Sequence, residues 1–304
     1  MRFLLNSIFA LTLLCATHAQ AEPSPLGLRL EEGASYQWMT VSERHTDSPK
    51  GQQRSTTATP ISLSVLKQMP DATLVALKYG KSELSSSPEH PEMQRFLGAM
   101  EEINRTLKFQ ILVGKNGEIQ DLQNYDEIQA ATGELLNKLA ETSKLPAAAM
   151  PQLQAMLNSK PAVMAAFLKD VPLLFIGANI NPDAEAPAKF ETALPNPLGG
   201  PALKASGTEK ISHPATDTGS FKLEMELATD PESISNAIAQ IASDKMSPAE
   251  LQNMKQQLAN MTIQDQLVAN IALSTGLSNQ VRFVRTTRIG DTKRVDVRTL
   301  SLAP

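Results

Sequence analysis

Few groupings in this 304-residue chain have the residue types and spacing that chemistry needs, and each lacks a necessary part. Gly80-Lys81-Ser82 has the close of a phosphate-binding loop, but Val75 stands where the first glycine should be. The triplet also follows a strand without opening a helix. There is no Gly-x-Ser-x-Gly nucleophile turn, no His-Glu-x-x-His zinc helix and no Gly-x-Gly-x-x-Gly dinucleotide turn. His45, His90 and His213 lie beside Thr46, Pro91 and Pro214, the surroundings of solvated side chains rather than of a triad or a zinc site. Residues 179–185 alternate oxygen donors as calcium loops do, yet proline at the fourth place and the missing glycine at the sixth favour a polar linker. The expectation is a protein that is not an enzyme and takes no metal and no cofactor.

Two distributed features remain. Methionines recur on the apolar stripes of predicted helices, and flexible thioethers suit a surface that must fit varied apolar ligands. Met150, Met156 and Met164, with Phe167, are therefore the candidate ligand-binding residues, the competing reading being gap-filling in a core poor in aromatics. Cations gather near the C-terminus, where Arg282, Arg285, Arg288 and Arg294 are candidates for contact with an anionic surface, lipid or acidic partner. The competing reading there is a solvated sheet face.

The elements that would position these residues read as follows. Residues 28–84 give three strands; alternation is clear at Ile61, Leu63 and Val65 and again across 72–79. Ser87-Pro88 starts a helix, and Lys115-Asn116-Gly117 turns a hairpin between 107–113 and 118–122, because Asn-Gly tolerates the positive φ of a tight turn. The second half repeats this order: a strand over 221–227, a helix capped at Asp230-Pro231, a capping box at Ser247-Pro248-Ala249-Glu250, then strands over 267–274, 280–288 and 293–302. Asn260-Met261-Thr262-Ile263-Gln264-Asp265-Gln266-Leu267 echoes Asn104-Arg105-Thr106-Leu107-Lys108-Phe109-Gln110-Ile111, which predicts an internal duplication with 104–113 and 260–269 equivalent.

Arg2, an apolar run over 8–16 and Ala19-Gln20-Ala21 read as a secretory signal cleaved after Ala21. The run is far shorter than the roughly 20 residues of a bilayer span, so no transmembrane segment is expected. The sole cysteine, Cys15, lies inside this signal behind Leu14, which disfavours a lipid anchor and leaves the exported chain without disulfides. A net charge of −4 argues against nucleic acid as partner. The layout predicted is a signal (1–21), an N-terminal β-rich half (22–123), a helical insert (124–177), a Pro-rich loop (178–205) and a C-terminal α+β half (206–304). Residues 22–304 together would form one domain.

With Gly33-x-x-Tyr36 opening the first strand, Lys115-Asn116-Gly117-Glu118-Ile119 in mid-sheet and Ser274-Thr275-Gly276-Leu277 before the last two strands, the chain resembles the LolA/LolB-like and LppX/LprG-like envelope proteins. The resemblance implies an α+β fold in which a curved antiparallel sheet, an incomplete barrel, wraps around helices and holds lipid between them. It brings no catalytic residues. The functional expectation is a periplasmic protein holding a lipid-like or other apolar ligand between sheet and helices. The alternative is a structural or protein-interaction role in the cell envelope, with an envelope protein as partner and no ligand cavity.

Overall fold

The computed structural model describes residues 25–49, 51–85, 98, 101–141, 154–155, 157–184, 188–194, 202–214, 219–242 and 261–303. The signal expected over 1–21, the helix start expected at Ser87 and the capping box expected at Ser247 lie outside them. The described chain forms β1 (Ser35–Ser48), β2 (Gly51–Gln68), β3 (Ala72–Tyr79), β4 (Glu83–Leu84), β5 (Lys108–Gly114) and β6 (Ile119–Leu122). The helices α1 (Tyr125–Glu141), α2 (Lys160–Phe167) and α3 (Pro172–Phe175) follow, with a 3₁₀ turn over Ile176–Asn179. Then come β7 (Ala188–Leu194), β8 (Leu203–Ser212), β9 (Ser220–Thr229), α4 (Pro231–Ala242), β10 (Thr262–Ala272), β11 (Ser278–Ile289) and β12 (Thr292–Leu302).

All the strand pairings are antiparallel and make one 12-stranded sheet in the order β6-β5-β3-β2-β1-β12-β11-β10-β9-β8-β7, with β4 on the flank of β2. The sheet is curved and unclosed, the α+β incomplete barrel expected. A sheet this wide must curl, because the twist between neighbouring strands accumulates. Tight turns fix its register: Gly117 takes φ 79° after Asn116, whose side chain accepts from the N–H of Glu118.

The two echoed segments occupy corresponding places. β2, β3, β5 and β6 are successive neighbours, as are β8, β9, β10 and β11, and in both sets the chain leaves the sheet between the second and third strands. Strand order and direction agree, and Leu107, Phe109 and Ile111 are buried as are Ile263, Asp265 and Leu267. The second helix is capped as expected, with the Asp230 carboxylate accepting from the N–H groups of Glu232 and Ser233 at 3.3 and 3.1 Å.

One expectation needs correction. The Pro-rich stretch 178–205 is not all loop: Ala188–Leu194 is a strand paired along its length with β8. Prolines 182, 187, 195, 197 and 201 all fall outside that strand, and β7 ends the sheet's hydrogen-bonded path, the place where strands near proline are tolerated.

The main core lies between the sheet and the insert. Ile61, Leu63, Val75, Leu77, Phe109, Ile111, Phe221, Leu223, Ile271 and Val281 meet Val163, Phe167, Val171, Leu173, Leu174 and Phe175. A smaller cluster joins Leu194, Leu203 and Ala205 to Ile234 and Ala237 of α4. The segment before β1 straps the insert to two turns: the N–H groups of Leu26, Gly27, Leu28 and Arg29 donate to the carbonyls of Ile180, Ala178, Lys115 and Thr275. No single helix among the described residues is long and apolar enough to cross a membrane. The pair Lys160–Phe167 and Pro172–Asn179 passes that test only jointly, bends by 74° and is largely core.

Candidate functional site

Alternation along the strands defines an inner face. On β1 it carries Tyr36, Trp38, Thr40, Ser42 and Arg44, matched across β12 by Leu302, Leu300, Arg298 and Asp296. On β11 it continues as Val281, Phe283 and Arg285, on β10 as Ala269, Leu267 and Asp265, and on β9 as Leu223, Met225 and Leu227. The face therefore runs, along the strand direction, from an apolar end to a charged belt. At the apolar end the sheet is anchored to the insert by polar bonds: Trp38 Nε1 donates to the Ser278 carbonyl at 2.9 Å, and Ser278 Oγ donates to that of Leu173 at 2.8 Å.

Two of the four candidate ligand-binding residues are described. Phe167 closes α2 and is buried, its ring 5.6 Å from that of Phe109, and its carbonyl accepts from Tyr79 Oη at 2.5 Å. Burial, first, and the nearby Asp170 carboxylate push the Tyr79 phenol far above its ordinary range, so this hydroxyl is a permanent donor. Met164 sits one turn earlier, half-buried against the main core. Ile211 and Met225, both partly exposed, adjoin the same core from β8 and β9. Met150 and Met156 lie outside the described residues.

The four candidate surface arginines do not share a face. Arg282 and Arg288 are exposed on the outer side of β11, whereas Arg285 and Arg294 belong to the inner belt. The reason is the two-residue period of a strand: positions three apart, such as 282, 285 and 288, alternate sides. Arg285 grips Asp265 in a two-pronged pair, Nε to Oδ1 at 2.7 Å and Nη2 to Oδ2 at 2.6 Å. Burial works against its charge, but the Asp265 carboxylate outweighs it and holds the guanidinium protonated. Arg294 binds Asp296 at 2.6 and 2.9 Å, and Arg44 reaches the same carboxylate from β1 at 2.8 Å. Burial opposes ionisation of Asp296, yet the bonds from Arg294 and Arg44 together win and set its pKa below the ordinary value. Arg298 completes the belt through Asp170, which follows α2, at 2.8 Å.

Sequence reasoning missed Asp170, Asp265 and Arg44. The alternation of β11 was the available signal, since it sends Arg285 inward and demands a buried counter-charge there. Glu224 and Lys222, by contrast, face outward and form a surface pair. Glu224, with Lys210, Glu226, Gln266 and Arg282, lines an open depression of about 400 Å³ on the outer face. Among the described residues no group of three or more His, Cys, Asp or Glu could hold a metal ion. Within the calcium-like stretch Asn181 Oδ1 accepts from the N–H of Asp183, and the Pro182 carbonyl lies 2.8 Å from Nε2 of His213, beyond the stretch.

The class these features define is an α+β protein whose unclosed antiparallel sheet is filled at one end by a helical insert and crossed by an inner belt of ion pairs. No protein-family model matches the chain, and no curated protein does. Among solved structures, lipovitellin, described for its lipid–protein interactions, gives a TM-score of 0.48 at 11% identity over 91% of this chain. The match covers 26% of lipovitellin, so the chain spans about a quarter of it. An outer membrane channel from Pseudomonas putida F1 gives 0.21 at 8% identity, over 93% of this chain and 100% of that one. Both scores are below that of a shared fold and assign no function.

Proposed function

We propose that this is an exported, periplasmic, non-enzymatic protein that holds a lipid-like or other apolar ligand between the inner face of its sheet and its helices. The observation that carries the reading is the rim of the main core. Met164, Ile211 and Met225 are apolar, partly exposed and turned to the same interior from a helix and two strands, where a ligand would complete their burial. The architecture is of the kind the LolA/LolB-like and LppX/LprG-like resemblance implies. The test is uptake of a fluorescent fatty acid by the mature chain. Joint replacement Met156→Lys and Met164→Lys abolishes uptake, while alanine at both positions weakens it less.

A second reading, a structural or protein-interaction role in the envelope, has its own support. Phe167, Leu173, Leu174 and Phe175 already fill the space over the sheet's apolar end. A wild-type chain that takes up no acyl probe, together with a lowered melting temperature in both methionine variants, decides for this second reading.

A further inference from the structure

β7 ends the sheet's hydrogen-bonded path: β8 pairs with one flank of it, and among the described residues no strand pairs with the other. A strand at such an end presents backbone N–H and C=O groups to which another chain can add. The internal repeat shows what kind of neighbour that flank suits. β1 precedes β2 as β7 precedes β8, and each pairs antiparallel with the strand that follows it. On its other flank β1 is covered by β12, antiparallel over Trp38–Asp47. Among the described strands, β7 is the copy without this neighbour.

The side chains of β7 are complementary to themselves. Phe190, Thr192 and Leu194 face inward, since they oppose Gly207, Ala205 and Leu203 on β8, and Gly207 opposes the inward Leu227 of β9. The Phe190 ring lies over Gly207, where a Cβ would meet its Cζ at 2.9 Å. Lys189 and Glu191 point outward, are exposed, and make no ion pair among the described residues. When β7 meets a second β7 antiparallel about Phe190, Lys189 stands opposite the partner's Glu191, and Glu191 opposite the partner's Lys189, on the outer face. Phe190 then stands opposite its own counterpart on the inner face, and Ala188 opposite the partner's Thr192. Opposite charges and aromatic rings are favourable cross-strand pairs. Other centres lose them. Pairing about Glu191 sets that carboxylate against itself, and a slip of one residue sets the inward Phe190 against the outward Glu191. Pro187 and Pro195 bracket the strand and, lacking an N–H, stop a longer ladder that would favour another register.

We propose that the flank of β7 away from β8 is an interface with a second copy of this chain, in which the two β7 strands pair antiparallel about Phe190 and join the two sheets across a twofold axis. The contact is isologous, so each charge pair occurs twice and association closes at the dimer. Main-chain hydrogen bonds supply the affinity and the side chains the register, whether or not the core takes a ligand.

Sedimentation equilibrium of the mature chain, up to about 1 mM protein at low ionic strength, shows a monomer–dimer equilibrium. Lys189→Glu alone and Glu191→Lys alone each weaken the dimer about tenfold, because each turns two attractive pairs into two repulsive ones. Neither changes the melting temperature of dilute protein. The double variant Lys189→Glu with Glu191→Lys restores association. So does an equimolar mixture of the two single variants, since an acidic strand then meets a basic one. A chain that stays monomeric throughout that range overturns the interface. A dimer that neither single change weakens lies on another surface, and one that the double variant and the mixture fail to restore is held in another register; either result overturns the proposal.

Discussion

Single residues carry the sharpest consequences. Gly276 has φ 76°, and a Cβ there would meet the Gly27 carbonyl oxygen at 2.6 Å, where the N-terminal strap crosses the turn between β10 and β11. Gly276→Ala therefore lowers stability by about 2–3 kcal/mol in urea unfolding, adding a backbone clash to the strain of a positive φ. Gly290→Ala, at φ 54° with nothing within 4 Å, is the control and costs only about 1 kcal/mol. The belt has a pH signature. Because the folded pKa of Asp296 lies below its ordinary value of 3.8, its contribution is complete above that value. It is lost as the pH falls through the depressed folded pKa. Asp296→Asn consequently destabilises at neutral pH, and the difference from wild type closes on acidification below about pH 4. A gap that does not narrow as the pH falls below the ordinary carboxylate range shows that packing rather than charge is at stake.

Elements show how much was legible beforehand. The caps and turns were, because they are local chemistry: Asp230 followed by proline has to start a helix, and Asp230→Ala lowers stability by about 1 kcal/mol, read as loss of α4 helicity and of the melting temperature. The hairpin at Asn116-Gly117 was legible for the same reason. β7 was hidden because the prolines around it outweigh seven residues whose only reason to be extended is the edge of β8. The basic strip was half legible: the sequence shows the arginines, but its partners Asp265 and Asp170 arrive from another strand and from the insert. On α2, Phe167 takes part in both the core and the candidate site, and its burial against Phe109 predicts about 3–5 kcal/mol lost on Phe167→Ala.

At the scale of the whole molecule, β1 joins β12, so the first and last strands of the described chain lie at the middle of the sheet and tie its two sides into one ladder. Trp38, the sole tryptophan, stands in that central seam, buried and bonded to the Ser278 carbonyl. Its fluorescence and the far-ultraviolet circular dichroism should lose native signal at the same urea concentration, as one cooperative unit requires; separate transitions show that the two sides unfold independently. The sequence alone determined the alternating strands, the capped helix, the hairpin turn and the repeated strand-helix-strand order, because each depends on residues close together along the chain. Only the tertiary structure decided that β1 pairs with β12, that Arg285 and Arg294 turn inward, and that Arg298 meets Asp170 of the insert. Those outcomes depend on register and on contacts between residues far apart in sequence, where each strand's two-residue period meets a partner that only the curled sheet supplies.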